Sequence, residues 1–209
     1  MLKSERESEV NQMGKFEVID RLVDEGNGYL CTSKVVECGI SKHTLAAYVD
    51  ERHMEKVGHG VYLSTDGWQD PFYELSLQNS RIIFSHECAL YLHGLMEREP
   101  ARLVVTVPAG YNASHLRKQG ISVFQEKKEF SSLGRMDVET NYGNRVAAFD
   151  RERTICDIVR HKKRMDIQVF QYAIKEYMDS SGKDINRLMA YARELGALDT
   201  VRLYTEVML

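Results

Sequence analysis

Short donors and cations gather where the chain reads Gly39-Ile40-Ser41-Lys42-His43-Thr44-Leu45-Ala46-Ala47-Tyr48-Val49. Ser41, Lys42, His43 and Thr44 fall at the start of a helical pattern, the end that enters a DNA major groove first when a helix reads bases. Tyr48, one turn on, adds a ring and a hydroxyl able to reach a base edge, a thymine methyl or a phosphate. Just upstream, Thr32, Ser33 and Lys34 open another short helix, whose leading amides can hold a phosphate. His59 lies between two glycines, at a ribbon tip able to touch the adjacent backbone. Together these nine residues predict double-stranded DNA as the partner.

Arg151, Arg153, Arg160, His161, Lys162, Lys163 and Arg164 form a second basic group. It reads either as a solvated cationic helix end that complements the helix dipole, or as a surface for phosphates or an acidic partner. His86, Glu87, Cys88 and His93 raise the question of a metal or catalytic site. A His-Glu-x-x-His pair would need a histidine where Leu90 stands. His86 and His93 are instead expected in or near a packed helix, with no third ligand. Glycine-rich phosphate loops and Gly-x-Ser-x-Gly are missing, so no catalysis, metal or cofactor is expected.

The elements that would position these side chains follow from periodicity and caps. Residues 1–13 are charged and are expected to fray. Phe16, Ile19, Leu22 and Val23 share one face of a helix that stops at Gly26-Asn27-Gly28. Tyr29-Leu30 is a short extended piece. Thr32 or Ser33 can cap a second helix carrying Val35 and Val36 and ended by Gly39. Ser41 caps a third, with Ile40 and Leu45 spaced as a hydrophobic staple. Leu45 and Val49 are assigned to the core, and Lys42, His43, Ala47 and Asp50 to solvent. Residues 54–57 and 61–63 pair around Gly58-His59-Gly60 as a hairpin. This order predicts a winged helix-turn-helix over residues 14–66, with a linker from Ser64 to Pro71.

Beyond it the pattern predicts helices at 72–79 and 85–94, strands at 102–108 and 121–125, and a hairpin of 136–142 with 145–149 around Gly143-Asn144. Helices led by Asp150, Asp166 and Asp184 and a short closing helix complete the chain. The expected class is α+β: an N-terminal winged helix followed, over 67–209, by a mixed domain of small sheet and helical bundle.

Composition sets limits on these readings. The 209 residues carry 28 basic and 31 acidic side chains, a net charge of −3. Residues 1–66 alone hold 8 Lys and Arg against 12 Asp and Glu. This excludes a basic coat for non-specific nucleic-acid binding, but a repressor needs only a local positive face. Cys31, Cys38, Cys88 and Cys156 lack Cys-x-x-Cys spacing and read as reduced, buried residues. With no long apolar run and no signal peptide, a cytoplasmic protein without membrane contact is expected.

Gly28-Tyr29-Leu30 through Tyr62-Leu63, with Gly39-Ile40-Ser41 and Gly60-Val61-Tyr62 in place, resembles the N-terminal winged helix of the AbiEi family. These are antitoxins of the type IV AbiE abortive-infection systems. The resemblance continues through Ser85-His86-Glu87-Cys88-Ala89-Leu90-Tyr91-Leu92-His93-Gly94-Leu95 and Asp150-Arg151-Glu152-Arg153-Thr154-Ile155-Cys156-Asp157, and covers roughly 14–165. It implies a repressor that binds inverted repeats in its own promoter. It also implies a C-terminal antitoxin domain that counteracts a nucleotidyltransferase toxin from a neighbouring gene without a stable complex. A protein-interaction adaptor built on the winged helix is the alternative from another class. An enzyme with a site near His86 and His93 is a third.

Overall fold

The computed structural model describes residues 14–206, and the expected fraying of residues 1–13 lies outside them. The chain divides into two compact units, residues 1–80 with 140–144, and residues 81–139 with 145–209. The first unit therefore runs past the expected boundary at 66. It takes in a further helix and a turn distant in sequence.

In the first unit the order is α1 (Lys15–Glu25), β1 (Tyr29–Cys31), α2 (Thr32–Glu37), α3 (Lys42–Glu51), β2 (Glu55–Gly58), β3 (Val61–Leu63) and α4 (Pro71–Gln78). The strands form an antiparallel sheet in the order β1-β3-β2. Val18 and Ile19 from α1, Val35 from α2, and Leu45 and Tyr48 from α3 bury one core with Leu30, Ile40 and Met54. The Ser41 hydroxyl accepts from the Thr44 amide at 3.1 Å, capping α3 as expected. The cap expected from Thr32 or Ser33 is absent, because Thr32 is already helical and Cys31 holds the N-cap position.

The helix α4 packs on the sheet through Tyr73 and Leu77, against Tyr29, Cys31, Val61 and Leu63. Its cap, Asp70, is fully buried and accepts from the amides of Phe72 and Tyr73. The other carboxylate oxygen accepts from Thr140 Oγ1 at 2.6 Å and Asn144 Nδ2 at 2.9 Å. One buried carboxylate, satisfied by four donors, thus holds the turn 140–144 in the first unit.

The second unit contains β4 (Ile83–Phe84), α5 (Glu87–Leu92), β5 (Val104–Pro108), α6 (Ser114–Lys118), β6 (Ser122–Glu126), β7 (Arg135–Glu139), β8 (Arg145–Phe149), α7 (Arg151–Arg160), α8 (Ile167–Asp179), α9 (Ile185–Glu194) and α10 (Leu198–Glu206). Its mixed sheet runs β6-β5-β4-β8-β7, with β5–β6 and β4–β8 parallel. Asp150, Asp166 and Asp184 cap their helices as expected. The helix α7 is buried from Glu152 to Val159 and packs against α5, α8, α9 and α10. The class is α+β. Among the described residues, no helix is long and apolar enough to cross a membrane.

Candidate nucleic-acid interface

The Thr32 amide donates to the Gly60 carbonyl at 2.8 Å. That bond ties the start of α2 to the tip of the β2–β3 hairpin, where Gly60 takes φ +68. As a result Thr32, Ser33, Lys42 and His59 line one open concavity of about 380 Å³, together with Lys56 and Tyr62. No carboxylate is among its lining residues, so the two lysines set its sign. Two acids of α1 are engaged elsewhere, Glu17 on the Gly14 amide and Asp20 on Tyr48 and Arg52.

Ser41, Lys42 and His43 are exposed at the leading end of α3, and Thr44 is half-buried with its hydroxyl 2.9 Å from that of Ser41. Lys34 is exposed on α2. Two expectations need correction. The Thr32 amide is committed to Gly60 and so is not one of the leading amides open to a phosphate at this helix end. Tyr48 does not face outward: it is buried, stands edge-on to Phe16, and donates to Asp20 Oδ1 at 2.7 Å. The cause is helical spacing, since Tyr48 lies three residues after Leu45 and shares its inward face. Burial first, and then Asp20, pushes the Tyr48 hydroxyl pKa up.

Tyr48→Phe is therefore expected to cost about 1 kcal/mol of stability through the lost hydrogen bond, and to leave DNA affinity unchanged in a binding titration. Sequence reasoning missed Lys56 and Tyr62, which face each other across β2–β3. Period-2 alternation from the turn would have placed them on one face.

In the second unit the two segments around His86 and Arg153 meet in a buried polar network. Arg153, part of the basic group expected at the surface, is fully buried. Its Nε donates to Asp157 Oδ2 at 3.0 Å, its Nη2 to Glu126 Oε2 at 2.9 Å, and its Nη1 to the carbonyls of Phe130 and Leu133. Arg160 spans the same two carboxylates at 2.7 and 3.1 Å. Arg151 donates to the His93 carbonyl, and Lys162 to the Tyr204 hydroxyl. Much of the basic run is thus consumed internally. Lys163 and Arg164 remain exposed, with Arg164 over the Phe124 ring.

His86 is fully buried at φ +51, stacked 3.7 Å from Phe124. His86 and His93 flank α5 as its N-cap and C-cap. His93 Nε2 meets the Phe149 carbonyl, and His86 meets Ser85 and His161. Among the described residues, no group of three His, Cys, Asp or Glu side chains is placed to hold a metal.

No protein-family model matches the chain, and no curated protein matches it. Its fold is similar to the crystal structure of the RV2827C protein from Mycobacterium tuberculosis, with a TM-score of 0.58 over 92% of this chain and 79% of that one. At 14% sequence identity the likeness is one of fold alone.

Proposed function

We propose that the first unit is a winged helix-turn-helix that binds duplex operator DNA, and that the protein is a cytoplasmic repressor of its own promoter. The observation that carries this reading is the convergence of Thr32, Ser33, Lys42, Lys56 and His59 on one carboxylate-free concavity beside the exposed end of α3. Hydroxyls and ammonium groups at a helix start suit phosphates, while Lys42 and His43 stand where a reading helix first meets base edges. The domain need not be basic overall, because Lys42 and Lys56 share this face with no carboxylate among its lining residues. From the resemblance to AbiEi antitoxins, we assign the second unit to counteracting a nucleotidyltransferase toxin, with inverted repeats as the operator. That assignment rests on the segments around His86 and Arg153.

A mobility-shift titration on the DNA upstream of the gene tests the reading. Lys42→Ala is expected to weaken binding by about 1–3 kcal/mol if it contacts a base. Lys56→Ala is expected to weaken all sequences alike and to reduce the salt slope by about 1. Unchanged affinity in both variants would rule out this face as the reader. Supplying the toxin from a separate promoter tests the second assignment, since a Lys42→Ala chain that no longer represses should still protect cells.

A further inference from the structure

A second concavity of the first unit, about 570 Å³, has the opposite chemistry. The carboxylates of Asp24 and Asp66 line it together with the rings of Trp68 and Tyr142, and no Lys, Arg or His is among its lining residues. Neither carboxylate has an ion-pair partner among the described residues. Trp68 is the chain's single tryptophan and is 77% exposed, and Tyr142 is 45% exposed. An apolar ring of that size is ordinarily covered.

The walls are fixed although the rings are open. The Tyr29 hydroxyl accepts from the Asp70 amide at 2.7 Å and shares its proton between Glu74 Oε1 at 3.0 Å and the Trp68 carbonyl at 3.2 Å, which pins the loop that presents the indole. A Cβ on Gly67 would stand 2.5 Å from Leu63, so the backbone there is pressed against the sheet. The opposite wall, the turn carrying Tyr142, is held by Asp70 and by Asn27 Nδ2, which donates to the Tyr142 carbonyl at 2.9 Å. The site is preformed and of ligand size.

We propose that this concavity binds an arginine side chain presented by a partner polypeptide. A guanidinium stacks on indole and phenol faces and offers a flat fork to two carboxylates. An ammonium is more strongly hydrated and has no plane to stack. Phosphates are repelled here, so the nucleic acid proposed for the other face is not the occupant. The acidic excess of the first 66 residues, 12 against 8, favours approach of a cationic segment. An open mouth with a projecting indole matches the aromatic anchors of protein interfaces. The inference stands apart from the DNA reading and survives its failure.

Because Trp68 is the only tryptophan, its emission reports this site directly in the full chain. Titration with a blocked tri-arginine peptide is expected to give a saturable change in emission, with tri-lysine weaker by roughly fivefold or more. Asp24→Asn with Asp66→Asn should weaken the arginine response by roughly tenfold or more, with unchanged circular dichroism. Asp66→Asn alone, in an exposed turn, should lose part of it. A flat titration, an equal response to a glycine–serine peptide, equal affinity for tri-lysine, or an arginine response unaltered by either Asp variant overturns the proposal.

Discussion

Replacing Arg153 with alanine is expected to lower the stability of the second unit by about 3–5 kcal/mol, because it leaves buried carboxylates without their central cation. Arg153 has no exposed surface and makes ion pairs at 2.9 Å and 3.0 Å with Glu126 and Asp157, both of them buried. Its remaining donors close the loop carbonyls of Phe130 and Leu133, and its guanidinium lies 4.3 Å from the Phe149 ring centre. Burial pushes the Asp157 carboxyl up despite Arg153 and Arg160. At Glu126 burial also pushes up, but the Arg160 hydrogen bond, the Lys127 amide and both guanidinium charges outweigh it, and the net shift is down. Arg160 shares both carboxylates yet keeps 23% of its side chain in solvent, so Arg160→Ala is expected to cost clearly less. Urea unfolding followed by far-ultraviolet circular dichroism reads both variants. A loss below about 1 kcal/mol for Arg153→Ala, within the range of an exposed pair, would contradict this account.

That contrast explains what could be read from the sequence. Local signals named most elements, because caps such as Ser41, Asp150, Asp166 and Asp184 act within three residues of themselves. Long-range pairing left no such mark. Arg153 looks like any cation in a basic run until α7 is seen to be buried along its length. Ile83–Phe84 is a two-residue strand at the centre of the sheet, too short for a periodic pattern. The turn 140–144 joins the first unit through Asp70, seventy residues from Thr140, a pairing that linker composition does not encode. At the candidate interface, Ser41, Lys42 and His43 were legible as an exposed leading edge. Tyr48 was not, because its hydroxyl suggests an outward role while its spacing of three residues from Leu45 puts it on the inward face.

Acidification from pH 7 to pH 5 is expected to destabilise the second unit, with His86 alone contributing about 2 kcal/mol. The hydrogen bonds dictate why His86 must stay neutral. The Asp157 carbonyl can only accept, so His161 Nδ1 carries the proton that it and His86 Nε2 share. His86 Nδ1 then carries its own proton and donates to the Ser85 hydroxyl, which also accepts from Thr106. Protonating His86 would set two N–H groups face to face inside the network. Burial first, then His161, Arg164, Arg153 and Arg160, lower its pKa well below 6.5, and burial likewise lowers His161 and His93. Below about 6.5 the unfolded chain takes up a proton at each histidine that the folded chain refuses, so stability falls as pH drops. It is fully present above that value. Glu87, Asp150 and Asp157, raised by burial, act in the opposite sense as the pH approaches the carboxyl range. The decisive measurement is therefore a comparison: His86→Asn tolerates positive φ and does not titrate. Its stability should change less between pH 7 and 5 than that of the parent chain, by about 2 kcal/mol. Parallel pH profiles would show that His86 carries its charge in the folded state, and the tautomer chain from Asp157 to Ser85 would then be wrong.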